Sequence, residues 1–418
     1  MKKLLIRKSS PLKGIIEVSG SKNSALPIMA ASLLLNDKCL LKNIPNLADV
    51  NSMINLLESL GAKINKKKSY ITINCSNLKN HKAEYNLVKK MRASILVLGP
   101  LLARFKKAKV SLPGGCAIGN RPIDIHLLGL EKLGIDFSIE NGFVYGKVKN
   151  KLLGNKINLP FPSVGATENL IMAASLAHGN TIINNAAREP EIKDLVMCLN
   201  NVGAKIQGEG TKTIVIEGVK KLKGGSHTII SDRIVAGSYI IMAVMLNKNF
   251  LIKKFNPKLL VNPLKLLQKM GANLKIGNNY VKVLPAKKIK AACLETKPYP
   301  GFPTDLQAQM MSLMSLAKGN SKIKEKIFEN RFMHISELNR MGASIKIKND
   351  TAYIKGDIKF KGTQVMANDL RASMSLVLAA LCADGKTTIN RVYHLDRGYE
   401  KIEKILGKCG PKINRIKF

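Results

Sequence analysis

Three kinds of residue in this chain are spaced as chemistry requires. A thiol, Cys116, sits in Pro113-Gly114-Gly115-Cys116-Ala117-Ile118-Gly119-Asn120-Arg121-Pro122-Ile123-Asp124-Ile125-His126, a glycine-rich run with a guanidinium five residues after the sulfur. A cation that close lowers a thiol's pKa and suits it to proton transfer or nucleophilic attack. The competing reading, an inert buried cysteine, lacks a hydrophobic pocket among those glycines. An acid, Asp305, stands in Phe302-Pro303-Thr304-Asp305 at the mouth of an apolar helix, where it serves either as an N-cap or as a general base. Cations recur at the ends of elements: Lys22 in Gly20-Ser21-Lys22-Asn23-Ser24, Arg331 in Asn330-Arg331-Phe332-Met333-His334, Arg371 after Asp369-Leu370, and Arg397 in His394-Leu395-Asp396-Arg397-Gly398-Tyr399 at a strand end. Lys22 at a helix N-terminus suits an anion, with a helix cap and a solvated lysine as the alternative. The arginines suit a small ligand bearing a carboxylate and a phosphate, with salt bridges to Asp305, Asp369 and Asp396 as the alternative.

These residues must be positioned by a repeat. The pattern Leu-x-x-apolar-Gly recurs at Leu57 to Gly61, Leu130 to Gly134, Leu199 to Gly203, Leu267 to Gly271, Leu338 to Gly342 and Leu406 to Gly410, each time where a helix period gives way to alternation. Only the last copy, with Cys409-Gly410-Pro411, departs from the pattern, which puts that junction in doubt. In step with the glycines run six helices that are apolar nearly all round: Ala25 to Leu35, Ala93 to Ala103, Ala166 to Ala177, Val235 to Leu246, Leu306 to Ala317 and Leu370 to Ala383. Helices without a polar face belong inside a domain. The expected fold is therefore α/β: two similar inside-out domains, each of three repeated units with buried helices and outer sheets. The chain is expected to cross between them near residues 20 and 230, giving an N-terminal domain over 21–229 and a C-terminal domain over 1–20 plus 230–418. A cleft between two such lobes is the expected substrate site.

Composition narrows the function classes. The 418 residues are 45% hydrophobic and 23% charged, as in an ordinary folded protein. The opening Met1 to Lys8 has too short an apolar run for a secretory signal, and no stretch is long enough to span a bilayer, so the expected location is the cytoplasm. The seven cysteines are scattered and never form Cys-x-x-Cys, which suits reduced thiols and excludes a zinc framework. A net charge of +40 raises the possibility of nucleic acid binding. However, lysines are spread evenly, Trp is absent and no aromatic-basic stretch appears, so a solvated basic surface is expected and no nucleic-acid partner. Of the 68 basic residues 12 are arginines, and seven of those (Arg92, Arg121, Arg188, Arg233, Arg331, Arg371, Arg397) fall in motif segments. Arginine is placed and lysine is scattered. No Walker loop, dinucleotide fingerprint or His-Glu-x-x-His helix occurs, so neither cofactor nor metal is expected.

The segments Gly20 to Pro27, Arg92 to Ile95, Pro113 to His126, Ser163-Val164-Gly165-Ala166-Thr167, Arg188-Glu189-Pro190-Glu191, Phe302 to Asp305, Asn330 to His334 and Asp369 to Arg371 resemble, in order and spacing, the UDP-N-acetylglucosamine enolpyruvyl transferases. The resemblance runs from end to end. It implies transfer of the enolpyruvyl group of phosphoenolpyruvate to the 3′-hydroxyl of UDP-N-acetylglucosamine, the first committed step of peptidoglycan precursor synthesis. It implies that Cys116 is the proton-handling thiol that fosfomycin alkylates, that Asp305 faces the sugar hydroxyl as base, and that Lys22 is catalytic as well as substrate-binding. Lys22, Asn23, Arg121, Arg331, Arg371 and Arg397 then hold phosphoenolpyruvate. Arg92, Arg121, Pro122, Ile123, Asp124, Ile125, Ser163, Val164, Gly165, Asp305 and Ile327 fall where the family contacts the UDP-sugar, with His126 and Asp369 in support. The shikimate-pathway relative shares the architecture but is not expected to carry the Gly-Gly-Cys loop.

Overall fold

A computed structural model describes residues 2–7, 13–113 and 123–417. Each of the six helix stops read from the repeat is a glycine with φ between +88° and +106°: Gly61, Gly134, Gly203, Gly271, Gly342 and Gly410. In that region a Cβ meets its own backbone, so glycine ends the helix and turns the chain into the next strand at little cost. The doubtful last junction obeys the same rule and leads into the strand Lys412–Lys417.

The described residues form six four-stranded sheets with one plan. An outer strand lies parallel to its neighbour, and the remaining strands pair antiparallel; Lys156–Asn158, Asn180–Asn184, Thr213–Glu217 and Lys205–Gln207 lie side by side in that way. Alternation is clean. Thr213–Glu217 and Thr351–Lys355 bury every second residue against helices and turn the rest to solvent, as a period of two demands. Three sheets are completed from distant sequence: Lys2–Arg7 pairs with Lys386–Asn390 and Lys412–Lys417, Gly14–Glu17 with Phe250–Lys253, and Gly225–Thr228 with Lys38–Lys42.

The chain divides into two compact units, one holding the described residues up to Ser19 and from Ser231 on, the other Gly20 to Ile230. Each has three of the sheets and its own apolar core. In the first unit the core is three mutually packed helices, Arg233–Leu246, Gln307–Leu316 and Ala372–Cys382, buried along nearly their whole lengths. In the second, Leu98–Phe105 packs on Val164–Ala174, while Lys22–Ala31 packs on the segment Arg92–Val97 and on the helix Pro190–Asn201. The core helices start or stop a few residues from the apolar stretches, and two of these shifts have a clear cause. The first core helix begins at Lys22, three residues early, because Lys22 is itself buried and so belongs to the covered face. The Ala93 to Ala103 stretch opens as a 3₁₀ turn, Arg92–Val97, before the α-helix starts at Leu98. No helix among the described residues is long and apolar enough to cross a membrane.

Where the chain passes from one unit to the other, backbone hydrogen bonds tie it within each unit. Ser21 N–H donates to the Ile230 carbonyl at 2.7 Å, and Asp232 N–H to the Ser19 carbonyl at 2.9 Å. Gly20 is required there: a Cβ would stand 1.8 Å from the Asn43 carbonyl oxygen.

Candidate active site

In the unit that starts at Gly20, Lys22 lies in the first turn of its helix, buried, with Nζ 3.0 Å from Asp49 Oδ2. This corrects the alternative of a cap with a solvated lysine: the lysine is enclosed, and Ser21, at the N-cap position, makes no side-chain capping bond. A buried ammonium needs a counter-charge, and Asp49 supplies it. Asn23 follows, half-buried. The same helix is pinned one residue later, where Ser24 Oγ donates to Asp194 Oδ2; Asp194 also accepts from Ile230 N–H at 3.2 Å and lies 2.8 Å from His227 Nε2.

The residues expected to meet the UDP-sugar sit at helix starts in this unit. Ser163 caps the Val164–Ala174 helix, its Oγ accepting from Ala166 N–H at 3.4 Å, with Val164 and Gly165 half-buried beside it. Ile123 is buried, and Asp124, exposed, opens the Asp124–Glu131 helix with Ile125 packed on the core. Arg92 opens its 3₁₀ turn, half-buried. Cys116, Arg121 and Pro122 lie outside the described residues. His126 is a buried support: Asn169 Nδ2 lies 2.8 Å from its Nδ1 and 3.1 Å from the Ile95 carbonyl. With the amide donating, Nδ1 accepts and the proton sits on Nε2, the neutral form. Burial and the nearby Arg92 push its pKa down to about 4. Glu168, on the same helix as Asn169, is pushed the other way by burial and by Glu191 and Glu189.

The other unit gathers the arginines around one acid. Asp305 lies in the 3₁₀ turn Thr304–Leu306 that leads into the Gln307–Leu316 helix. Its carboxylate meets two cations: Oδ1 accepts from Arg331 Nη2 at 2.9 Å and Oδ2 from Arg371 Nε at 3.4 Å. Both arginines are buried while Asp305 keeps about a quarter of its side chain open, so the acid is the accessible member of the trio. Arg371 also lies 3.9 Å from Asp232 Oδ2. Burial opposes its charge, but Asp232, Asp305 and Tyr399 outweigh that and its pKa rises. Among the described residues neither Nη of Arg371 has a hydrogen-bond partner.

Asp369 turns out to be a cap, its Oδ2 accepting from the N–H groups of Arg371 at 3.1 Å and Ala372 at 2.9 Å. Burial works to raise its carboxyl, but Arg331 and those amides hold it below the usual range. The expected salt bridges are therefore real at Asp305 and absent at Asp369's side of Arg371. Asp396 pairs not with Arg397 but with Arg415, through two bonds of 2.9 and 2.7 Å. The segment carrying Arg397 is a 3₁₀ turn, Leu395–Arg397, after the strand Lys386–Asn390 has ended, not the strand's own end. Ile327 is half-buried, its N–H donating to Glu325 Oε1 at 2.9 Å. His334 is fully buried, and burial together with Arg331 pushes its pKa down to about 4 against the pull of Asp369.

Sequence reasoning missed Asp49, Asp232 and Asp194. Asp232 had a signal: it precedes Arg233 at the start of a core helix, as Asp369 precedes Arg371 at the equivalent place in a later repeat. Its Oδ1 caps that helix through Ile234 and Val235 N–H.

Two of the buried histidines, His126 and His334, make a prediction. Folded pKa values near 4, below the ordinary 6.5, mean that the unfolded chain binds protons first. The stability each contributes is whole above pH 6.5 and is lost as pH falls through about 4. The urea midpoint is expected to drop already between pH 6.5 and 5, above the range where carboxylates such as Asp369 contribute, and His334→Gln or His126→Gln should flatten that slope. A midpoint level down to pH 5 would contradict it.

The comparisons bear on the whole chain. A family model described as EPSP synthase (3-phosphoshikimate 1-carboxyvinyltransferase) matches residues 6–406. The enolpyruvyl transferase NikO from Streptomyces tendae shares the fold, with a TM-score of 0.90 over 99% of this chain and 98% of that one at 24% identity. A UDP-N-acetylglucosamine 1-carboxyvinyltransferase of Pelagibacter ubique (strain HTCC1062) is 53% identical over 416 residues, covering 100% of both chains. Another, of Coxiella burnetii (strain Dugway 5J108-111), is 51% identical over 418 residues, covering 100% of this chain and 96% of that one. At that identity along its full length, the chain belongs to the enolpyruvyl transferase family, with the UDP-N-acetylglucosamine 1-carboxyvinyltransferases.

Proposed function

We propose that the protein transfers the enolpyruvyl group of phosphoenolpyruvate to the 3′-hydroxyl of UDP-N-acetylglucosamine, releasing phosphate, in the cytoplasm and at the entry to peptidoglycan synthesis. The observation that carries this is full-length identity above 50% to relatives bearing that activity in their names. The chemistry is addition followed by elimination. Protonating C3 of phosphoenolpyruvate leaves C2 cationic and open to the hydroxyl, so the reaction asks for an acid at C3 and a base at the hydroxyl. Cys116 is assigned the first role and Asp305 the second. Two guanidiniums lie beside this carboxylate, and its partial exposure leaves it within reach of a hydroxyl. Lys22, Asn23, Arg121, Arg331, Arg371 and Arg397 are assigned to the carboxylate and phosphate of phosphoenolpyruvate. The two buried Nη donors of Arg371 support this, since unfilled donors at a buried cation suit a two-pronged anion. Arg92, Ile123, Asp124, Ile125, Ser163 to Gly165 and Ile327 are assigned to the UDP-sugar.

The family model's description favours a second reading, with shikimate 3-phosphate as acceptor. Phosphate release from phosphoenolpyruvate, measured with each acceptor and with or without fosfomycin, decides between them. Release with the UDP-sugar alone, abolished by fosfomycin, is expected; release with shikimate 3-phosphate alone would replace the proposal. Cys116→Ser is expected to lose most turnover or to trap an intermediate, while Cys198→Ser and Cys382→Ser keep it. Cys198 is a useful control because burial raises its pKa and keeps it a thiol. Equal losses in all three variants would remove Cys116 from the chemistry.

A further inference from the structure

Next to Asp305 in the same unit lies a buried polar cluster that the chemistry above does not use. Ser238 on the Arg233–Leu246 helix, Gln309 on the Gln307–Leu316 helix and Tyr399 are sealed from solvent. Gln309 Nε2 lies 3.1 Å from the Asp305 backbone oxygen, 3.1 Å from the Tyr399 hydroxyl and 3.0 Å from Ser238 Oγ. The two hydroxyl oxygens are 2.7 Å apart, and Ser238 Oγ donates to the Ile234 carbonyl at 2.8 Å.

Counting protons fixes the directions. Ser238 has one proton and directs it to Ile234, so Tyr399 donates to Ser238, and the amide proton facing this pair is shared between the Ser238 and Tyr399 oxygens, 3.0 and 3.1 Å from Nε2. The amide's other proton goes to the Asp305 carbonyl. Turning the amide over would set its oxygen against that carbonyl, acceptor to acceptor. Tyr399 in turn presents its ring to Arg371, whose guanidinium carbon is 5.7 Å from the ring centre and whose Nε reaches Asp305 Oδ2. The cluster thus grips the backbone of Asp305 on one side and touches the arginine that pairs with its carboxylate on the other.

Gln309 Oε1 has no hydrogen-bond partner among the described residues. An unpaired buried acceptor destabilises, and an apolar residue of similar volume would avoid that. What the glutamine provides in exchange is its donor end.

We propose that Gln309 is a positioning residue: its amide ties the Asp305 backbone to Tyr399 so that the Asp305 carboxylate and the Arg371 guanidinium keep one mutual geometry. The proposal rests on Asp305 acting as base. Misplacing a reacting group by about 1 Å costs up to roughly 10²-fold in rate, whereas substrate binding through other groups is untouched.

The test is steady-state kinetics on Gln309→Leu, Tyr399→Phe and Asp305→Asn, with thermal midpoints. Gln309→Leu is expected to lower kcat by about 10- to 100-fold with both KM values within about twofold and the midpoint equal or higher. Tyr399→Phe keeps the ring beside Arg371 and removes only the hydroxyl, so a smaller fall in kcat at unchanged KM is expected; it decides the matter by itself if Gln309→Leu does not fold. A kcat within about twofold of the parent, or a loss appearing in KM alone, overturns the proposal. If Asp305→Asn is inactive while Gln309→Leu and Tyr399→Phe turn over normally, only the positioning role fails. If Asp305→Asn itself turns over normally, the base assignment fails and the positioning role with it.

Discussion

Asp305→Asn is expected to lower kcat by about 10²- to 10⁴-fold, the range that a positioned acid or base contributes. The substitution keeps the shape of the side chain while removing its capacity to take a proton. Asparagine also leaves Arg331 and Arg371, both buried, facing a neutral amide where they now meet a carboxylate at 2.9 and 3.4 Å. Raising the pH should restore nothing, because an amide cannot be deprotonated into a base. The measurement is phosphate release across pH 6 to 9 with both substrates saturating. Turnover near the parent's would show that the hydroxyl proton leaves by another route.

The second large effect is expected at Arg371, whose side chain is about 2% exposed and interacts with both Asp232 and Asp305. Arg371→Met keeps the stem and deletes the cation, leaving two carboxylates without it. Removing one partner of a buried ion pair typically destabilises by about 3–5 kcal/mol, more than the pair itself is worth, because the remaining charge stays buried. A lower thermal midpoint and a higher KM for phosphoenolpyruvate are both expected. Arg371→Lys should recover stability better than affinity, since an ammonium lacks the planar fork that meets a carboxylate or phosphate with two parallel bonds. Arg340→Met is the comparison: that guanidinium is exposed, bonded to the Gln364 carbonyl and paired loosely with Glu337, so its loss should stay within about 0.5 kcal/mol. Equal destabilisation in the two variants would mean that the Asp232-Arg371-Asp305 pairing carries little.

Much of this was legible before the structure. The repeat, the six glycine stops, the buried helices and the alternating outer strands depend on neighbours within a turn or two, and local preferences report them faithfully. So do the positions of Asp305, Arg371 and Lys22 at helix openings. The helix starts were less legible: Lys22 and Ser24 are polar yet buried, and a pattern that reads polarity as exposure begins that helix too late.

By itself the sequence determined the plan of buried helices and outer sheets and the places where the chain reverses. Only the tertiary structure decided which charge faces which. Lys22 and Asp49 are 27 positions apart, Arg331 and Asp305 26, Arg371 and Asp305 66, and none of these separations follows a helical or strand period. Arg397 has an acid beside it in sequence, yet Asp396 turns to Arg415, 19 residues on, because the strand Lys412–Lys417 carries that guanidinium within hydrogen-bond reach of it. Charge pairing is a property of surfaces brought together by burial of apolar neighbours, and it is settled when the helices and sheets close on each other, not along the chain.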